Sequence, residues 1–185
     1  MSNCREHTAS LVIASAAKQS RVACGTLDCF AALAMTKSFT ILLADLDATA
    51  AFGARIAATL RAGDVVALSG GLGAGKTTLA RAIIAALGHQ GEVPSPSFAI
   101  IETYDPPALR LPLVHADFYR VEDPAELEEL GLDHYREGAA LLAEWPEHAG
   151  GFAHEPACLS IRLEAADTGR IAIVEPGQDW LGRLP

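Results

Sequence analysis

From residue 38 onward strand and helix periods alternate, a glycine-rich turn joins one strand to the next helix, and two β-type runs close the chain around a turn. These observations predict an α/β fold of the phosphate-binding-loop type, its sheet flanked by helices and ending in a β-hairpin. Residues 38–43 read as a strand. Residues 47–61 read as a helix, with Phe52, Ile56 and Leu60 at helical spacing among alanines. Residues 64–69 carry Val65-Val66-Ala67-Leu68, a buried strand, and residues 70–75 are loop. Residues 77–87 set Leu79, Ile83, Ile84 and Leu87 on one helix face, and Gly88 stands where a C-terminal cap is needed.

Strands follow at residues 98–104 and 113–118. Asp123-Pro124-Ala125-Glu126 then opens a short helix, combining an N-cap, a proline at the first helical position and a capping-box acid. That helix is expected to stop near Gly131. Residues 139–143 form another buried strand, and residues 157–164 and 170–175 pair around Asp167-Thr168-Gly169.

A chain of 185 residues fits one domain, and such a domain buries roughly 70% of the surface its unfolded chain exposes. The formal net charge of -9 excludes a protein that grips nucleic acid through a broad basic surface, and the lysines are Lys18, Lys37 and Lys76 alone. Cys4, Cys24, Cys29 and Cys158 form no CxxC pair or zinc spacing. Reduced thiols and the absence of any long apolar run predict a soluble, cytoplasmic protein with no membrane span. Residues 1–34 lack a sustained period and fail as a secretory signal, because Lys18 and Arg21 follow the short apolar stretch at once. They read as an extension outside the domain, disordered or belonging to a start assigned upstream of Met35, which leaves residues 35–185 as a single domain.

Gly70-Gly71-Leu72-Gly73-Ala74-Gly75-Lys76-Thr77 carries the chemistry. A glycine-rich turn lets successive backbone N–H groups converge on phosphate oxygens, and the helix that follows adds the positive end of its dipole. Lys76 can bridge β- and γ-phosphates, the Thr77 hydroxyl can ligate magnesium, and Thr78 reaches toward the α-phosphate. Such a site needs an acid at the end of a neighbouring strand. Asp117 and Glu144 each follow an apolar run, so both are candidates. Pro94-Ser95-Pro96-Ser97 is a stiff hydroxyl-bearing loop that reads equally as a γ-phosphate sensor or as an ordinary strand entry. Trp145 fits either the site or the core, and His115 reads as a core residue. Asparagine is absent after Asn3, so a guanine-reading Asn-Lys-x-Asp motif is missing. The singly scattered arginines give no kinase-type lid.

Taken in order, residues 70–78, Ala86-Leu87-Gly88-His89-Gln90-Gly91, Ser95-Pro96-Ser97-Phe98, His115-Ala116-Asp117-Phe118-Tyr119-Arg120 and Glu144-Trp145-Pro146-Glu147 resemble the motifs of a bacterial family. That family is the tRNA threonylcarbamoyladenosine biosynthesis ATPase TsaE (YjeE). The resemblance runs from about residue 40 to the C-terminus. It implies a mixed sheet, ATP hydrolysis with Mg2+, and two partner proteins: the threonylcarbamoyl transferase and its inactive paralogue, of the TsaD and TsaB types. It further implies that tRNA is engaged only indirectly and that ATP hydrolysis supports repeated turnover of the assembly.

Carried over by position, Gly71, Leu72, Gly73, Ala74, Gly75, Lys76, Thr77 and Thr78 would hold the nucleotide. Thr77 and Glu144 would hold the metal, and Asp117 would support the metal or the attacking water. Lys76, Asp117 and Glu144 would be the catalytic set. Trp145 would sit beside the nucleotide, and Leu46 would approach the base. Ser97 stands where the family has threonine, keeping the hydroxyl. A small-molecule kinase and a nucleotide-sensing interaction protein are the competing classes.

Overall fold

Strands that are apolar on both faces must be covered on both sides. The computed structural model, which describes residues 38–96, 100–123 and 125–185, meets that demand with a single sheet. In chain order the elements are β1 (Phe39–Leu43), α1 (Leu46–Thr59), β2 (Val65–Ser69), α2 (Lys76–Ala86), β3 (Ile101–Tyr104), β4 (Leu113–Asp117), α3 (Ala125–Leu130), α4 (Leu132–Arg136), β5 (Ala140–Glu144), β6 (Cys158–Ala165) and β7 (Arg170–Pro176). Short 3-10 turns occupy Pro146–Ala149 and Gln178–Trp180. The expectations for residues 1–34 and for Ser97 and Phe98 lie outside the described residues.

The strand order is β1-β7-β6-β2-β5-β4-β3. β4, β5, β2 and β6 run parallel at the centre, while β7, β1 and β3 make antiparallel pairings toward the edges. The mixed sheet and the closing hairpin are as expected. Period-two alternation splits the core. Val66, Leu68 and Leu142 face α1 and α2, while Val65, Ala67, Leu141 and Ala143 pack with Phe118, Leu127, Leu132 and Phe152 on the other face.

Local chemistry sets the element ends. Asp45 caps α1, accepting the Ala48 N–H at 2.7 Å. α1 ends before residue 61 because the Asp64 carboxylate takes the Arg61 N–H at 2.7 Å and is itself gripped by both terminal nitrogens of Arg183 at 2.6 Å. Arg110 donates to the Ala57 and Leu60 carbonyls at the same helix end. α1 and α2 cross closely at Gly53, where an added Cβ would lie 2.7 Å from the Ala82 Cβ. Gly88 closes α2 as expected: its N–H bonds the Ala85 carbonyl at 3.0 Å and the His89 N–H bonds Ile84 at 3.3 Å.

Glu126 reaches back to the Asp123 N–H at 3.0 Å, completing half of the expected capping box. Gly131 stops α3 with φ +67°, but a second short helix, α4, starts directly after it. The sequence period did not show this helix, since five residues are too few to express one. Cys158 is buried, and burial pushes its thiol up to about 11, so it is no nucleophile at neutral pH. Among the described residues, no helix is long and apolar enough to cross a membrane.

Candidate functional site

Parallel strands direct their C-terminal ends to one edge of a sheet, and ligands of open α/β folds gather there. In this chain β2, β5 and β4 end side by side: Leu68 pairs with Glu144, and Glu144 pairs with Asp117. The glycine-rich loop leaves β2 at that edge and leads into α2. Gly70, with φ +129°, passes so close to the hairpin that an added Cβ would meet the Leu163 carbonyl at 2.3 Å. Gly73 and Gly75 also take positive φ, which turns the loop back to start α2 at Lys76.

Lys76 is buried, and its ammonium donates to the Gly70 and Gly71 carbonyls at 2.7 and 3.0 Å. The same nitrogen lies 3.7 Å from the centre of the Trp145 ring. Burial lowers the Lys76 pKa, and Glu144, then Glu147 and Asp117, oppose that by favouring the charged form. At the next residue, Thr77 Oγ1 donates to Glu144 Oε2 at 2.7 Å. Glu144 Oε1 lies 2.9 Å from His115 Nε2. Asp117 Oδ1 accepts the Tyr119 N–H at 3.0 Å. Glu144 is 1% exposed and Asp117 4%, so both acids are held inside the protein rather than solvated at strand tips.

Trp145 is half-buried with φ +56°, a left-handed conformation uncommon for a bulky residue. Its N–H donates to the Leu68 carbonyl at 3.1 Å, and the reversal turns the indole over the loop, where the Tyr119 ring centre lies 5.0 Å away. Trp145 therefore lines the candidate site. A cavity of about 350 Å³ is lined here by Lys76, Thr77, Ser95, Asp117, Glu144 and Trp145, among others. Ser97, the fourth residue of the Pro-Ser loop, lies outside the described residues.

A second cavity of about 240 Å³ lies across the loop, lined by Leu43, Leu46, Thr49, Leu163 and Arg170. Gly73, Gly75 and Thr78 line both, so the loop is the wall between them. Leu46 falls here, apart from the acids. Arg170 clasps the loop from outside, donating to the Ala74 carbonyl at 3.1 Å and the Gly73 carbonyl at 3.2 Å.

Sequence reasoning missed two functional candidates. His115 is two residues before Asp117, so a strand puts both on one face, and that spacing could have flagged it. Arg170 carried no such signal, because it reaches the loop only through the pairing of β6 and β7. The donor set at the strand ends, one hydroxyl and two buried carboxylates, suits a small hard cation such as magnesium. Among the described residues, no three His, Cys, Asp or Glu side chains form a metal cage. Magnesium, however, commonly takes one or two carboxylates with water and phosphate oxygens.

A family model described as "Threonylcarbamoyl adenosine biosynthesis protein TsaE" matches residues 43–172. The tRNA threonylcarbamoyladenosine biosynthesis protein TsaE of Haemophilus influenzae is 38% identical over 107 residues, 57% of this chain and 66% of that protein. Its counterpart from Streptomyces coelicolor is 46% identical over 96 residues, 51% of this chain and 65% of that protein. The matched segment thus spans just under two thirds of the length of each. The Mycobacterium leprae protein of the same name is 39% identical over 137 residues, 69% of this chain and 83% of that protein. The crystal structure of Bacillus subtilis YdiB superposes with a TM-score of 0.62 at 30% identity, covering 79% of this chain and 90% of that one.

Proposed function

The chain belongs to the TsaE family of threonylcarbamoyl adenosine biosynthesis proteins, and on that premise we propose that it is a Mg2+-dependent ATPase of the tRNA threonylcarbamoyladenosine machinery, with residues 35–185 as its working domain. ATP hydrolysis supports turnover of the threonylcarbamoyl transferase and its inactive paralogue, which hold the tRNA. The carrying observation is the hydrogen bond from Thr77 to the buried Glu144, one helical step from Lys76 and one strand from Asp117.

The residues divide the work along the nucleotide. The loop N–H groups from Gly71 to Thr78 and the N-terminus of α2 receive the phosphates, with no side chain in the way. Lys76, which now donates to the Gly70 and Gly71 carbonyls, would instead meet the β- and γ-phosphates. Thr77 and Glu144 would hold Mg2+, which would neutralise charge developing on the phosphates. Asp117 would orient the attacking water or support the metal from the adjacent strand. Trp145 covers this end. The nucleoside would lie across the loop, where Leu43, Leu46 and Leu163 line the second cavity.

The test is reconstitution. Phosphate release from ATP rises when both partner proteins are added, and Glu144→Gln lowers that rate roughly 10²-fold or more while keeping nucleotide binding. A verified complex that releases phosphate no faster than the chain alone refutes the partner-dependent reading. Phosphate transfer to a metabolite without partners would place the chain among small-molecule kinases.

A further inference from the structure

Glutamate has one more rotatable bond than aspartate, so a metal-site glutamate must be steadied to present one oxygen consistently. Two groups reach Glu144, one to each oxygen. Thr77 Oγ1 takes Oε2 at 2.7 Å, and His115 Nε2 lies 2.9 Å from Oε1. Strand pairing sets the second contact: Asp117 is opposite Glu144 and His115 is opposite Leu142, so His115 sits one same-face step behind the acid pair. His115 is 0% exposed, and its other ring nitrogen, Nδ1, is buried with no hydrogen-bond partner among the described residues.

That orphaned nitrogen identifies the proton's place. An ionised carboxylate only accepts hydrogen bonds, so Oε1 needs a donor opposite it. With the proton on Nε2, the pair is satisfied and Nδ1 buries only a lone pair. With the proton on Nδ1, two lone pairs face each other and a donor N–H is buried unpaired, the rarer and costlier arrangement.

We infer that His115 is a positioning residue, whose Nε2–H donates to Glu144 Oε1 and thereby aims Oε2 at Thr77 and the magnesium site. The inference rests on the proposed Mg2+-nucleotide function and adds to it a residue that touches neither ligand. Loss of the bond frees Glu144 to rotate, so the defect falls on magnesium and spares the phosphate loop.

The experiment titrates MgCl2 against the full chain at fixed ADP by calorimetry, with ADP affinity in the absence of magnesium measured beside it. For H115L, half-saturating magnesium rises roughly tenfold or more, the scale of lost outer-sphere ligand support, while magnesium-free ADP affinity stays within about twofold. H115Q, whose amide keeps an N–H donor, stays within about threefold of wild type. Equal shifts in H115L and H115Q overturn the inference, as does a magnesium-free ADP defect as large as the magnesium defect.

If H115L does not fold, the 15N imidazole spectrum of the wild-type protein decides instead. A proton on Nε2 is expected for His115, and a ring protonated on Nδ1 alone overturns the assignment. Wild-type ADP binding that ignores magnesium would overturn the proposed function and this inference together. Wild-type dependence with an insensitive H115L would overturn this inference alone.

Discussion

The two cavities flanking the phosphate loop are built on different terms. On one side stand Lys76, Thr77, Asp117 and Glu144, groups whose chemistry few residue types can supply, at fixed distances and largely withdrawn from water. On the other stand Leu43, Leu46, Thr49 and Leu163, surfaces that many residues could provide, with Arg170 gripping the loop from behind. Desolvated charge is expensive to leave unpaired, whereas apolar contact scales with area and degrades gradually. Substitutions should therefore cost most on the phosphate side, less where the loop is braced, and least on the apolar side.

Lys76→Ala is the largest expected effect. It removes a desolvated cation from the phosphate cavity, and truncating a buried hydrogen-bonded charge partner typically costs 2–5 kcal/mol, so ADP and ATP affinity should fall about 10²-fold. Calorimetric titration checks this. A loss under about threefold would erase the contrast between the two sides.

The same contrast governs what could be read from the sequence. The loop was legible because its glycines, lysine and threonine are contiguous, and the positive φ that turns it is a local property of glycine. Asp117 and Glu144 were legible as acids ending apolar runs, since a buried strand that terminates in a carboxylate presents it at the sheet edge. His115 was read as core. Its burial was foreseen, but its contact with Glu144 depends on the β4–β5 register, which local sequence does not encode. Trp145 was ambiguous because only its left-handed backbone turns the indole toward Lys76. The apolar cavity was the least legible. It joins residues near positions 43–49 to residues near 163–170, and β1 reaches that place by pairing with β7 from the far end of the chain.

Arg170→Gln tests the brace between the sides. Arg170 holds the carbonyls of Gly73 and Ala74, and a cation on that side of the peptide units strengthens the opposite N–H groups as donors to phosphate. The guanidinium is partly solvated, so the expected loss of ADP and ATP affinity is roughly fivefold to tenfold. Arg170→Lys should not restore it, since an ammonium lacks the fork that spans two carbonyls. Full rescue by lysine would reduce Arg170 to a general positive charge and move it out of the loop's geometry.

Leu46→Ala has the smallest expected effect and separates the cavities most cleanly. Leu46 opens α1 and is 73% exposed, and the helix start is held by the Asp45 cap rather than by the leucine, so alanine there leaves the fold intact. What it removes is apolar surface that a nucleoside would cover. At about 25 cal/mol per Å² over the few tens of Å² lost, ATP affinity should drop about threefold. Inorganic tripolyphosphate, which carries the charge of ATP without its base, engages only the other side of the loop. Its affinity should be unchanged by Leu46→Ala and should fall with Lys76→Ala as steeply as that of ATP. Equal loss of ATP and tripolyphosphate in Leu46→Ala would mean that the apolar cavity acts through the loop instead of holding the nucleoside.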